Sequence, residues 1–203
     1  MNRSQILTEY DKMRYKISES KDEYLEEMFK YIKFYFSLDK ELWNWETFYL
    51  GLEDLIFSSL EKTYSITIAA VKSIYGIQFN DKIDKDTLKK LTYSKDGKTI
   101  EERLKEHWDN SINRKDCTSY FYNRLVLIVD TETLYASNHI IHGKLNKYAT
   151  HVEILGSPEC EKEEGMCEYY ISKGKIPIED LDELPPYHPD CECEVIYYID
   201  KKK

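Results

Sequence analysis

Residues Pro185–Cys193 read PPYHPDCEC, and this stretch decides how the chain divides. Three of the five prolines and two of the five cysteines fall in these nine residues, with His188 between them. Proline fixes its own backbone and removes an amide donor, so the stretch is a stiff turn rather than helix or central strand. Downstream, CEVIYYI (Cys193–Ile199) reads as a closing strand, and upstream HVEILG (His151–Gly156) alternates as another. SPECEKEEGMC, between them, reads as loop, and all five prolines lie after Thr150. The C-terminal stretch is therefore expected to be a small, loop-rich β module.

The residues before it follow a helical period. From Lys21, KDEYLEEMFKYIKFYFS places Tyr24, Met28, Tyr31, Ile32 and Tyr35 at steps of three and four. Leu42, Trp45, Tyr49, Leu52, Ile56 and Leu60 continue the pattern, with Gly51 expected to loosen it and Gly76 to stop it. Ser94–Thr99 is a turn by composition, and Thr99 with Glu102 fits a capping box opening a helix that carries Ile100, Leu104 and Trp108. A further long helix is expected from about Cys117 to Tyr148, although LVLIV within it has the branched residues of a buried strand. The fold class expected is α+β: a mainly helical N-terminal body over residues 1–92, followed by residues 93–203, which end in the β module with its Cys/His cluster.

Composition bounds the function. The formal net charge of -9 argues against a general nucleic-acid binder, which would carry a basic face. Lys89, Lys90, Lys95 and Lys98 lie close together and read as a solvated surface. No apolar run approaches the roughly 20 residues that cross a bilayer, and the N-terminus lacks the apolar core of a secretion signal. An intracellular setting with reduced cysteines is the resulting expectation. Seven glycines leave little room for phosphate-cradling loops, and no serine elbow or histidine-glutamate zincin pattern occurs. No membrane association, small-molecule substrate or catalytic set is expected.

Cys160, Cys167, His188, Cys191 and Cys193 supply five candidate ligands for a tetrahedral zinc, two from one loop and three from the proline-rich stretch. In an extended segment Cys191 and Cys193 point to one side. Which four of the five bind is open, and reduced core thiols or disulfides formed after release from a cell are the competing readings. With so many ligands available the metal would be closed off and structural rather than catalytic. His139 and His142, three apart without a carboxylate partner at that spacing, read as core or surface, and Cys117 as an ordinary thiol.

Four stretches also resemble a known family. LPPYHPDCEC (Leu184–Cys193) is similar to the C-terminal P-x-HP-x-C-x-C signature of the phage Mu F-like minor head proteins, the head morphogenesis or minor capsid family. YSKDGKTIEERL (Tyr93–Leu104) resembles that family's turn and helix entry with its acidic-arginine pair. LIVDTETLYASN (Leu127–Asn138) resembles its threonine-glutamate helix through Thr131, Glu132, Ala136 and Asn138. CEYYISKGKIPI (Cys167–Ile178) resembles its cysteine, Gly-Lys turn and apolar strand. The chain departs from the family pattern at Asp130, at Glu192 and in the wide Cys160–Cys167 spacing.

The resemblance covers about Tyr93–Val195. It implies a minor head domain over 93–203 in a structural protein of a tailed phage or prophage, acting at the portal vertex in head assembly or genome delivery. The implied partners are the portal protein and other head proteins, with a contact to packaged DNA left open. The implied location is the virion interior, or the host cytoplasm during assembly. Thr131 and Glu132 are expected to be structural, with Glu132 either anchoring a buried hydrogen bond that orients the C-terminal module against the helices or facing solvent. The alternative is a stand-alone zinc-binding regulatory or nucleic-acid-binding protein.

Overall fold

Ile6, Tyr10, Met13, Leu25, Met28, Ile32, Tyr35 and Phe36 are the buried stripe of a single helix, α1 (Arg3–Phe36), in the computed structural model. The structure describes residues 3–79, 83, 85–90, 97–156, 165–188 and 191–199. The helix begins well before Lys21, because Ile6, Tyr10 and Met13 keep its period within an otherwise polar N-terminus. α2 (Trp45–Tyr75) starts at Asn44, whose side chain accepts the Thr47 N–H, and stops at Gly76 in the left-handed conformation (φ 69°). Leu42 leaves the expected stripe: it lies in the 3-10 turn between the two helices and is 62% exposed. Tyr35 meets Asn44 at one end of the pair and Tyr10 meets Tyr75 at the other, so α1 and α2 run antiparallel.

Gly51 does not loosen α2, which runs unbroken through it. A Cβ there would collide with the ring of Tyr31, whose hydroxyl donates to Phe48 O at 2.9 Å. The glycine instead permits close approach of the two helices. After the short α3 (Lys85–Lys90), α4 (Ile100–Ser111) opens on the expected capping box: Thr99 Oγ1 accepts the Glu102 N–H at 3.2 Å, and Glu102 accepts the Thr99 N–H at 2.7 Å. α5 (Cys117–Leu145) includes LVLIV as helix. Phe121, Leu125, Ile128 and Val129 keep the three-four period of its buried face, and the two turns flanking them carry it.

Two packed regions result. At one end, Tyr35, Phe36, Trp45, Phe48, Trp108 and Phe121 pack as an aromatic core, with Phe48 and Trp108 ring centroids 4.7 Å apart. At the other end, the start of α1, the end of α2 and the end of α5 close over a small sheet. That sheet is antiparallel in the order β2-β1-β3, from β1 (His151–Leu155), β2 (Lys175–Pro177) and β3 (Glu194–Tyr198). The helix α6 (Met166–Lys173) precedes β2, within a segment whose composition reads partly as loop. Tyr170 and Cys167 give it the buried side that sequence alone does not reveal.

Among the described residues β3 pairs with a strand on one side, with Val152 opposite Tyr197 and Ile154 opposite Val195. Its other edge is completed by side chains. Val195 N–H donates to Asn138 Oδ1 at 3.4 Å, Val195 O accepts from Tyr10 Oη at 3.1 Å, and Tyr197 N–H donates to Tyr75 Oη at 3.3 Å. Asn138 also donates through Nδ2 to Cys193 O at 3.0 Å and Pro185 O at 3.3 Å. Three helices thus stand where a fourth strand would be, and the backbone groups at a buried edge are satisfied.

Replacing Asn138 with Ala strands three backbone groups in a dry core. The expected loss is about 2–4 kcal/mol, since each orphaned group costs about 1–3 kcal/mol and a ladder relaxes partly around the gap. Tyr10→Phe, which removes one acceptor's partner and keeps the ring, is expected to cost about 1 kcal/mol. Urea denaturation of both variants measures the difference, and equal midpoints would overturn the role of Asn138.

Candidate metal centre

The cluster is assembled from three elements. Cys167 stands in the first turn of α6, His188 follows the cis Pro185–Pro186 pair, and Cys191 precedes β3. Their ligand atoms lie within 4.8 Å of one another, and the Cys167 and Cys191 sulfurs are 3.8 Å apart. A disulfide needs about 2.05 Å, so these two cysteines are not bonded. Two thiolates held at about 2.3 Å on a tetrahedral zinc would stand about 3.8 Å apart, which is the spacing found. Cys167, His188 and Cys191 therefore form a group that could hold a metal ion.

Cys193 is wholly buried beside this group, and its side chain hydrogen-bonds Cys191. Cys160 lies outside the described residues. Cys117, at the start of α5, packs against the aromatic core and takes no part in the cluster. The Cys191 thiol is pushed below its ordinary range by the hydrogen bond from Cys193, with backbone donors and Cys167 adding to it against burial. A thiol so placed readily becomes the thiolate that ligates a metal.

The surroundings hold this geometry. Tyr187 stacks on Tyr170 with centroids 5.4 Å apart, Tyr170 accepts the Asp182 N–H, and Tyr187 donates to Glu183 O. Burial pushes the Tyr187 phenol up, so it stays neutral beside the sulfurs. Gly156 closes the far side: a Cβ there would strike Ile171 of α6 and meet the Cys193 sulfur at 3.4 Å. The proline-rich turn is tied to α5 by Asn138, as described above.

Thr131 and Glu132 are both buried on α5. Thr131 donates back to Leu127 O at 2.8 Å. Glu132, with no exposed surface, forms an ion pair with Arg103 of α4. The expected anchor between the C-terminal module and the helices is thus supplied by Asn138, two turns further along α5, while the Glu132 pair joins α4 to α5. An asparagine within the apolar run LYASNHII was the available sequence signal, because a buried amide must find partners. Nothing in the sequence pointed to Tyr10, Tyr75 or the ion pair of Arg14 Nε with the buried Glu194 (2.7 Å).

His139 lies against Tyr135, with ring centroids 3.9 Å apart, and His142 Nδ1 meets Tyr197 Oη at 2.9 Å. Burial, and then His142, push His139 down to about 4 from the ordinary 6.5. The folded protein therefore binds fewer protons than the unfolded chain between those values. Stability is full above about pH 6.5 and falls as the pH drops toward 4. Urea midpoints at pH 7 and pH 5, with chelator present throughout, are expected to differ less in His139→Gln than in the unchanged protein. An unaltered difference would show that His139 makes no contribution. No protein-family model, curated protein or solved structure matches this chain.

Proposed function

We propose that Cys167, His188, Cys191 and Cys193 hold one structural zinc ion, and that the chain is a minor head protein of a tailed phage or prophage. Its place is the portal vertex, in head assembly or genome delivery. The observation that carries the metal assignment is the spacing of the three ligand atoms, at a point where α6, the proline-rich turn and the start of β3 meet. Cys193 is the described candidate for the fourth position. With four protein ligands no site stays open for substrate, so the ion would staple the fold and perform no reaction.

The head-protein assignment rests on the family resemblance and is supported by how its four stretches are joined. Taken in chain order, Arg103 of the first stretch pairs with Glu132 of the second. Asn138 of the second bonds Pro185 and Cys193 of the fourth. Cys167 of the third meets Cys191 of the fourth. Stretches far apart in sequence thus serve one packed unit. At the far end of the bundle Phe34, Leu42 and Leu50 are exposed at 62%, 62% and 65%, and this end is assigned the portal contact.

Metal analysis of purified protein is expected to find about one zinc per chain. Cys191→Ser should lose it and lower Tm by about 5–10 °C, since a few kcal/mol moves Tm by roughly 2–4 °C per kcal/mol in a chain of this size. Its far-UV helix signal at 20 °C should remain. Metal-free protein with an unchanged melting curve would remove the staple. Mass spectrometry of phage particles and procapsids from an induced host is expected to find a few copies of the chain with the portal. Its absence from both would favour the regulatory alternative.

A further inference from the structure

The clustered cysteines differ in what can reach them. Cys191 is 6% exposed and is among the residues that line a cleft of about 410 Å³ between α1 and α5. Cys167 and Cys193 are 1% and 0% exposed. A small solute arriving from water therefore meets Cys191 first. The Cys167 sulfur stands 3.8 Å from that of Cys191 and 24 positions away in the chain. Bonded sulfurs lie about 2.05 Å apart, so the pair has to close by less than about 2 Å. Cys191 stands outside helix and strand, where a side chain can turn that far, while Cys167 is fixed in the first turn of α6.

Cys193 is the competing partner, since its side chain hydrogen-bonds Cys191. It is held more firmly: Asn138 fixes its carbonyl, and β3 begins at the next residue. A bond from Cys191 to Cys167 would close a long loop and tie α6 to the proline-rich turn. A bond to Cys193 would close across one residue and join no two elements. Restriction of the unfolded chain grows with the length of the closed loop, which favours Cys167.

We propose that Cys167 and Cys191 are a thiol pair that hydrogen peroxide converts to a disulfide, with release of the metal. This regulation rests on the zinc reading and needs nothing from the head-protein reading. The Cys191 thiolate attacks one peroxide oxygen; the O–O bond breaks, two electrons pass from sulfur to oxygen, and hydroxide leaves. The Cys167 thiolate then attacks the resulting sulfenic acid, so the S–S bond forms as the S–O bond breaks and a second hydroxide departs. Two protons from solvent convert both hydroxides to water, and zinc, deprived of two thiolates, leaves as the dication. The tie between α6 and the turn is thus kept when the medium changes from reducing to oxidising, a covalent bond replacing the metal.

Peroxide treatment of the full, zinc-loaded chain beside a chromogenic zinc chelator tests this, with metal content measured first. The expected result is release of about one zinc per chain and a cross-linked Cys167–Cys191 peptide about 2 Da lighter than the two reduced peptides together. Dithiothreitol with added zinc should reverse both. Cys117→Ser, away from the cluster, should behave as the unchanged chain. Cys167→Ser should give no cross-link and leave a sulfenic acid on Cys191 that dimedone traps. That variant also loses a ligand, so the linkage found in the unchanged chain carries the test. A Cys191–Cys193 link, sulfinic or sulfonic acid at Cys191 without a link, or zinc retained over reduced thiols would each overturn the proposal. A chain that purifies without zinc yet forms the Cys167–Cys191 link would sink the zinc reading and leave the thiol pair standing, so the two failures are distinct.

Discussion

The outer edge of β3 is the constraint around which the molecule is organised. A strand with all but its last residue buried cannot leave its outward N–H and C=O groups unmet, and no further described strand lies there to meet them. Tyr10, Tyr75 and Asn138 meet them from three separate helices. Because those side chains come from the start of α1, the end of α2 and the later part of α5, the small sheet holds three helix ends in fixed relation. The first turns of the chain are therefore part of the same core as its last strand.

The cysteine cluster benefits from this arrangement. Asn138 fixes the carbonyls of Pro185 and Cys193, so both ends of the proline-rich turn are referred to one rigid helix. The stacked pair Tyr170 and Tyr187 excludes water on one side, and the bare Cα of Gly156 lets α6 close on the other. A dry setting favours metal–thiolate bonds, which would otherwise compete with solvation of the charged sulfurs. Ligands held this way lose little freedom on binding an ion.

The aromatic end of the bundle is organised differently. There Trp108, Phe48, Phe36 and Phe121 supply broad apolar contact with offset and edge-on rings, and hydrogen bonds only trim the boundary. The pair of Arg103 and the fully buried Glu132 is the exception, a charged contact between α4 and α5 whose partners cannot be removed singly without leaving a charge in the interior. Between the two ends α1, α5 and the segment Cys191–Glu194 line a cleft that carries the ion pairs of Arg14 with Glu194 and Lys21 with Asp130.

Much of this was legible in the residues. The three-four spacing of Met28, Ile32 and Tyr35, the capping box at Thr99 and Glu102, the stop at Gly76 and the alternation of HVEILG each rest on local physics, and each appears where the pattern puts it. The residue types of PPYHPDCEC likewise marked it as a place where a metal could be held, and His188 and Cys191 do come together with Cys167. Local pattern failed where a segment takes its structure from distant neighbours: α6 forms because Tyr170 and Cys167 have a core to enter, and α1 extends to Arg3 because Tyr10 has Val195 to bond. The sequence by itself determined the periods, the caps and the ligand-capable residue types. Only the tertiary structure decided which side chains meet, setting Asn138 rather than Glu132 against the C-terminal turn and bringing Cys167 to Cys191. Those contacts join residues tens of positions apart, and no periodicity encodes how a chain closes on itself.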